Sequence, residues 1–250
     1  SGLAAEGNIP FACAFGAFSP GRNWEQIRTT ICYNDRPVVI VGTHTGLSVG
    51  EDGATHQILE DIAIMRALPN MRVIVPADFL EAQRATMALA RDAHPSYLRL
   101  SRDKSPLFTT TKTPFTIGVA NVLTQGSDVT VVACGLMVYE ALQAAVELSP
   151  TISVEVINMH TIKPFDTETL LQSVKKTGAV VTCEEHQQIG GLGGAVAEVL
   201  CEQAPVPLER VGVRDVFGES GTTRELWEKF GIDRKNIVEA IKRVHARKHK

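Results

Sequence analysis

Short apolar runs alternate with longer amphipathic segments over most of the chain. Residues 36–44 (RPVVIVGTH) and 71–77 (MRVIVPA) are almost continuously apolar, which is typical of strands buried on both faces of a parallel sheet. Residues 96–102 (SYLRLSR) form a weaker run of the same kind. Between these runs, residues 54–68 and 78–93 place apolar side chains at helical spacing. The pattern therefore predicts alternating strands and helices.

The periodic pattern stops between residues 102 and 115, where two prolines and four threonines occur, and we interpret residues 103–115 as a linker. Alternation then resumes, with predicted strands in residues 128–135, 153–160, 179–186 and 208–213, and predicted helices at 138–147, 166–176, 195–203 and from 233 onward. Strands that alternate with helices favour right-handed crossovers and mostly parallel sheets. The predicted fold class is α/β, with one domain over residues 1–102 and a second over residues 116–250.

The composition excludes several classes of protein. Of the 250 residues, 44% are hydrophobic and 21% are charged, and the net charge of -3 gives no reason to expect a nucleic acid or a membrane as partner. The basic end of the chain, residues 241–250, is interpreted as a solvated helix end. Five cysteines without C-x-x-C spacing argue against a disulfide framework or a zinc site and favour a cytoplasmic location.

Candidate chemistry concentrates in residues 41–66, where a predicted strand passes through a glycine-rich turn into a predicted helix. His44 follows the strand, at the sheet edge where parallel α/β folds bind ligands. Asp52 and His56 are expected to flank the start of the helix, whose free N–H groups would favour an anion. Together they suit a hydroxylated, phosphorylated ligand and proton transfer around it. Alternatively, His56 caps a helix and His44 forms hydrogen bonds within a loop.

Other segments are weaker signals when the residues are taken alone. Phe15 and Phe18 would more often belong to a core, and Arg99 and Arg102 would more often be surface charges. The glycine cluster at residues 190–194 does not have the spacing of a dinucleotide fingerprint and is better explained by tight strand-to-helix packing.

Several motifs nevertheless resemble the transketolase group of thiamine diphosphate enzymes. Residues 50–78 (GEDGATHQILEDIAIMRALPNMRVIVPAD) resemble the signature of that group. The segments CGLMVYEAL, INMHTIKPFD, EEHQQIGGLGGAVAEVL and FGESGTTRELWEKFGI resemble the family's carboxy-terminal domain. The resemblance runs essentially from end to end. The chain is similar to the second polypeptide of the split type, which carries the pyrimidine-binding and carboxy-terminal domains.

The resemblance implies a role for each candidate residue. Phe15 and Phe18 match the aromatic residues that contact the cofactor's aminopyrimidine ring. His44 matches a histidine that contacts substrate oxygens and phosphate, His56 lies in the matched T-H-Q segment, and both are expected to take part in catalysis. Asp52 matches an acceptor for sugar hydroxyls, Arg102 matches the arginine that binds substrate phosphate, and Arg99 is a second phosphate-binding residue. No residue is expected to bind a metal directly.

The resemblance also implies an activity and partners. The chain would form a homodimer, or a heterotetramer with a diphosphate-binding subunit. That second subunit would hold the diphosphate of thiamine diphosphate together with most contacts to its Mg²⁺ or Ca²⁺. The enzyme would transfer a two-carbon ketol unit between phosphorylated sugars, as in the pentose phosphate pathway. Alternatives are a 1-deoxyxylulose-5-phosphate synthase or the β subunit of a 2-oxoacid dehydrogenase.

One departure favours another interpretation. The family activates its cofactor with a glutamate in a G-I-A-E-Q-N motif that would precede residue 1, and Glu6 is in the wrong place to replace it. The expectation is a truncated chain that is inactive even with thiamine diphosphate, magnesium and the partner subunit present, and that regains activity when an upstream segment with this glutamate is restored. The alternative is a non-catalytic assembly module.

Overall fold

The computed structural model describes residues 1–248 of the chain. Its strands are β1 Phe11–Phe15, β2 Val39–Thr43, β3 Arg72–Ile74, β4 Ser96–Arg99, β5 Asn121–Thr124, β6 Val129–Ala133, β7 Val154–Asn158, β8 Thr161–Lys163, β9 Val180–Gln187 and β10 Leu208–Val213. Its α-helices are α1 Gly2–Ala5, α2 Trp24–Gln26, α3 Asp61–Arg66, α4 Phe79–Leu89, α5 Met137–Leu148, α6 Thr167–Thr177, α7 Leu192–Gln203, α8 Thr223–Lys229 and α9 Arg234–Arg247. A π-helix covers Ile27–Cys32, and 3₁₀ turns cover Leu47–Asp52.

Two mostly parallel sheets form the framework. The first has the strand order β1-β2-β4-β3-β8, in which β8 alone is antiparallel to its neighbour. The second has the order β10-β9-β6-β7-β5, in which β5 alone is antiparallel. The predicted α/β class with mostly parallel sheets is therefore confirmed.

The two halves of the chain share a strand and a core. Strand β8 comes from the second half but pairs with β3 of the first sheet, with Ile74 opposite Thr161. One buried cluster joins Val73 and Tyr97 of the first sheet to Val132 and Ile157 of the second. The sheets are consequently packed as one body rather than connected only by a linker. No helix among the described residues is long and apolar enough to cross a membrane.

Most predicted elements are confirmed, with small shifts at their ends. The predicted helix at 138–147 is α5, and the one at 195–203 begins three residues earlier as α7. The helix predicted from residue 233 is α9, which Asp233 caps by accepting a hydrogen bond from the Asn236 N–H. The last two residues of the basic segment, 249 and 250, lie outside the described residues.

The helix predicted over residues 54–68 is wrong for its first half, because α3 covers only Asp61–Arg66. The carbonyl of Ile58 accepts from the Gly46 N–H at 3.0 Å, and that of Leu59 accepts from the Gln187 N–H at 2.8 Å. Tertiary partners thus take carbonyls that a helix would use internally. The expectation that Asp52 and His56 flank a helix start is wrong for the same reason.

Several elements were not predicted, among them β1, β5, β8, the π-helix and α8. For α8 a sequence signal existed, since Thr222 and Glu225 form a capping box in which each side chain accepts a hydrogen bond from the other residue's backbone. The short β8 has no comparable local signal, because its pairing depends on a strand about ninety residues earlier in the chain.

The segment after β4 is fixed by one buried carboxylate. Asp78 caps α4 by accepting from the Glu81 N–H at 2.9 Å. It also accepts from the backbone N–H of Phe108 at 3.2 Å and from the N–H and hydroxyl of Thr109, both at 2.8 Å. Burial alone would raise the pKa of Asp78, but these hydrogen bonds lower it below its ordinary value.

We predict that Asp78→Ala lowers the free energy of unfolding by about 2–4 kcal/mol at neutral pH, because both the cap and the linker bonds are lost. The folded-state pKa of Asp78 lies below its unfolded value. Its contribution is therefore complete above about pH 4 and is lost as the pH falls through the lowered pKa. Urea unfolding at neutral pH and at about pH 3 measures both effects.

Asp233→Ala is the matched control, since Asp233 caps α9 and makes no hydrogen bond to the linker among the described residues. Its expected cost is about 0.5–2 kcal/mol, the usual range for a lost cap. Equal losses in the two variants would show that the bonds from Phe108 and Thr109 contribute nothing.

Candidate functional site

Three neighbouring strands of the first sheet end at the candidate site. Phe15 is the last residue of β1, His44 follows β2, and Arg102 lies three residues beyond β4. Phe15 pairs in register with Thr43, the residue before His44. Because parallel strands end at the same sheet edge, these side chains gather at the carboxyl edge. The position of His44 at a strand end agrees with the sequence prediction.

Aromatic rings and imidazoles form a cluster at this edge. The rings of Phe15 and His44 stack with centroids 3.9 Å apart and planes inclined by 11°. Phe18 lies 6.2 Å from Phe15, also at 11°, and His56 meets Phe18 edge-on at 5.5 Å. The guanidinium of Arg22 lies 5.0 Å from the Phe18 ring centroid. Phe18 is 37% exposed, so the cluster is an open surface rather than an interior core.

The two imidazoles are held in the same way. His44 Nδ1 is 3.1 Å from the Thr43 hydroxyl, and His56 Nδ1 is 3.0 Å from the Thr55 hydroxyl. Within residues 1–248, the Nε2 atom of neither ring makes a hydrogen bond. Partial burial lowers the pKa of His44, Arg102 lowers it further, and Asp52 opposes them. His44 is therefore neutral at physiological pH and can accept a proton at Nε2.

Arg102 lies beside two carboxylates. Its Nη1 donates to the Val49 carbonyl and lies 3.4 Å from Glu51 Oε2 and 3.9 Å from Asp52 Oδ2. The side chain is 41% exposed, and its hydrogen bonds to described residues all involve Nη1. Its Nη2 and Nε groups are thus available to an anion, which would compete with Glu51 and Asp52.

The glycine-rich turn between His44 and Gly53 has an unusual backbone. His44 has a φ of 53°, and Gly46, Gly50 and Gly53 have φ values of 79°, 78° and 76°, in the region that favours glycine. The buried side-chain amide of Gln57 donates to the Gly50 carbonyl at 3.4 Å and also to the Glu219 carbonyl at 2.9 Å. The turn is thus held partly from the second half of the chain.

Arg99 lies in the interior and does not join this cluster. It is 5% exposed, so the interpretation of Arg99 as a surface charge is wrong. Its Nε donates to Asp61 Oδ2 at 2.7 Å, and its Nη2 donates to the Glu185 carbonyl at 3.0 Å. Two nitrogens of the guanidinium thus donate to groups inside the protein. We therefore do not include Arg99 in the candidate site.

Three buried polar residues at the end of β9 were not selected as candidates from the sequence. Glu184, Glu185 and His186 are buried at the end of β9, between the two sheets. Glu184 accepts from the N–H groups of Leu192 at 2.7 Å and Gly193 at 2.8 Å, at the start of α7. The available signal was the pair of adjacent acidic residues at the end of an apolar strand, since buried carboxylates require partners.

The second glycine cluster packs tightly, as predicted. A Cβ atom at Gly191 would collide with Glu184 Oε2, and one at Gly193 would lie 2.9 Å from the Thr182 hydroxyl. The glycines therefore let α7 approach β9 closely. No group of three or more His, Cys, Asp or Glu side chains in the described part of the chain is arranged to hold a metal ion.

Comparison with known proteins identifies the family. Residues 1–106 match the pyrimidine-binding domain of transketolase, and residues 118–237 match the transketolase carboxy-terminal domain. The chain is 46% identical over its whole length to the 6-deoxy-6-sulfo-D-fructose transketolase subunit SqwH of Clostridium sp. (strain MSTE9), of which it covers 78%. It is 35% identical to an apulose-4-phosphate transketolase subunit of Phocaeicola vulgatus, with 95% of this chain and 76% of that protein covered.

A solved structure gives the same result. A split-gene transketolase, solved as an inactive β4 tetramer, superimposes on this chain with a TM-score of 0.92 at 46% sequence identity. The superposition covers 98% of this chain and 79% of the chain of that structure. The chain therefore belongs to the transketolase family and carries that family's pyrimidine-binding and carboxy-terminal domains.

Proposed function

We propose that this chain is the carboxy-terminal subunit of a two-polypeptide enzyme that transfers a two-carbon ketol unit between phosphorylated sugars. The observation that carries the proposal is the meeting of Phe15, His44, His56 and Arg102 at one sheet edge. Two relatives support it, since each is named for transfer to or from a sugar with an anionic end group. An exposed guanidinium suits such a group.

The family's cofactor is thiamine diphosphate, and the residues of the site fit one part of it. Two phenylalanine rings inclined by only 11° offer flat apolar faces to a planar heteroaromatic ring. The donor set does not fit a metal diphosphate, because the described residues offer no metal-binding group of side chains. We propose that Phe15 and Phe18 contact the aminopyrimidine and that a partner subunit holds the diphosphate with Mg²⁺ or Ca²⁺.

When bound, the thiazolium ring supplies an electron sink for the electron pair released as a carbon–carbon bond breaks. In our proposal, the Nε2 atoms of His44 and His56 bind substrate hydroxyls and move protons at them. Asp52 accepts a hydrogen bond from a further sugar hydroxyl. Arg102 orients the substrate by its anionic end, which keeps the reacting carbon at the aromatic cluster.

Assembly and location belong to the same proposal. The relative solved without activity is a tetramer of one kind of subunit, and we propose that this chain alone likewise forms an inactive homo-oligomer. With the diphosphate-binding subunit it would form a heterotetramer. A reducing cytoplasmic location is supported by the thiols, since all five cysteines are free.

Reconstitution tests this function. We expect ketol transfer when the chain, joined to an upstream segment that carries the family's activating glutamate, is co-expressed with a diphosphate-binding transketolase subunit and supplied with thiamine diphosphate and Mg²⁺. Neither subunit alone should show transfer. Size-exclusion chromatography establishes that the complex has formed. An assembled complex without turnover would instead make the chain a non-catalytic assembly module, and turnover by the chain alone would place the diphosphate site within it.

Arg102→Ala in the assembled enzyme should raise the KM for phosphorylated sugars by about tenfold or more, because a charged hydrogen bond contributes roughly 1.5–3 kcal/mol. Steady-state kinetics with an unphosphorylated sugar should show a smaller loss. Lys104→Ala, which removes a nearby exposed cation, is the control and should leave both KM values unchanged. Equal losses for both sugars with Arg102→Ala would make Arg102 a structural residue.

The pKa of His44 provides a test that can be read both with and without turnover. Arg102→Ala should raise it and Asp52→Asn should lower it, because the guanidinium disfavours and the carboxylate favours the imidazolium. In the assembled enzyme, the acid limb of kcat/KM should move to higher pH in the first variant and to lower pH in the second. NMR titration of the His44 ring measures the pKa directly. Shifts in the same direction would show that these two charges do not control His44.

A further inference from the structure

Glu185 of the second half of the chain is buried against the glycine-rich turn of the first half. Its Oε1 accepts from the Ser48 N–H at 2.5 Å and from the Trp227 indole at 2.9 Å, and its Oε2 accepts from the Ser48 hydroxyl at 3.0 Å. A Cβ atom at Gly46 would lie 2.5 Å from the Glu185 Cδ. The turn and the carboxylate therefore fit together without space for a larger residue.

Ser48 occupies the centre of the turn, between the groups that face the proposed substrate. Near the start of the turn, the Thr45 N–H donates to the Leu100 carbonyl at 3.2 Å. Immediately after Ser48, the Val49 carbonyl accepts from Arg102. A shift at Ser48 would thus move the acceptor that holds Arg102 and the chain that leads to Asp52.

Burial raises the pKa of Glu185, and the hydrogen bonds from Trp227 and Ser48, together with the charge of Arg99, oppose that rise. All three groups that point at the Glu185 side chain are donors: the backbone N–H and the hydroxyl of Ser48, and one indole. A carboxylate accepts all three with its two oxygens. A glutamine keeps one oxygen for the Ser48 N–H and the indole, but its N–H₂ group would force the Ser48 hydroxyl to turn to the Thr45 carbonyl, which lies 3.4 Å away. Each donor left without an acceptor in this buried place is costly.

We propose that Glu185 is a positioning residue: it holds Ser48, and through it the substrate-binding turn, so that Asp52 and Arg102 have their working geometry only when the second half of the chain is packed against the first. This proposal rests on the proposed function for its kinetic consequence. Its structural consequence, the protection of the Ser48 amide, is independent of that function.

The test compares Glu185→Gln with Glu184→Gln. The two glutamates are adjacent and equally enclosed, but Glu184 points to the other face of β9 and binds the start of α7 instead of the turn. We expect Glu185→Gln to speed hydrogen exchange of the Ser48 amide by about tenfold or more. Glu184→Gln should leave that amide unchanged, even if it lowers the melting temperature by a similar amount.

In the assembled enzyme, Glu185→Gln should lower kcat/KM for a phosphorylated sugar by about tenfold, while the thiamine diphosphate concentration for half activity stays the same. Trp227→Phe, which removes only the indole donor, should act in the same direction with a smaller effect and serves if the first variant folds poorly. The loss of kcat/KM in the double variant Glu185→Gln with Ser48→Ala should be smaller than the sum of the two single losses. Both substitutions remove the same contact between Ser48 and Glu185.

Unchanged exchange at Ser48 in Glu185→Gln, or the same kinetic loss in Glu184→Gln, would overturn the proposal. If the wild-type complex shows no ketol transfer, the proposed function fails, and the exchange experiment on the chain alone still decides whether Glu185 holds the turn.

Discussion

The buried ion pair between Arg99 and Asp61 is the interaction on which the joint between the two halves depends. Both side chains lie in the interior, and Arg99 Nε is 2.7 Å from Asp61 Oδ2. Burial would lower the pKa of Arg99, but Asp61 raises it, and Arg99 in turn lowers the pKa of Asp61 against the effect of burial. Each charge is thus kept ionised by the other, and removing either would leave an uncompensated charge in the core.

This pair also fixes where the second sheet can lie. Besides Asp61, Arg99 binds the Glu185 carbonyl at the end of β9, and the Tyr97 hydroxyl donates to the same Asp61 oxygen at 2.7 Å. The carboxyl end of β4 is therefore tied to the carboxyl end of β9. Because the candidate site is built on the end of β4, its geometry is a property of both sheets and not of the pyrimidine-binding domain alone.

The extent to which sequence predicted this molecule follows from the range of the interactions involved. Most of the strands and helices were predictable because burial imposes a local period on the sequence. His44 was placed correctly because a strand end is a local feature. Residues 54–60 were not, since the Ile58 and Leu59 carbonyls bind Gly46 and Gln187 instead of continuing a helix. Strand β8 and the contacts of Glu185 depend on pairs of residues far apart in the chain.

Arg99 and Arg102 show how sharply position decides the role of a residue type. Both stand in the segment SYLRLSR, and the same resemblance implies substrate binding for both. Three residues of extended chain span about 10 Å, which separates a site between the sheets from the open edge. Arg99 ends β4 and is enclosed by partners that keep it charged. Arg102 is 41% exposed, and its Nε and Nη2 groups make no hydrogen bond to the described residues. A role carried over by motif thus requires a second condition, that the side chain is exposed with free donors, and Arg102 meets this condition whereas Arg99 does not. Arg99 instead stabilises the end of β4, from which the chain leads to Arg102.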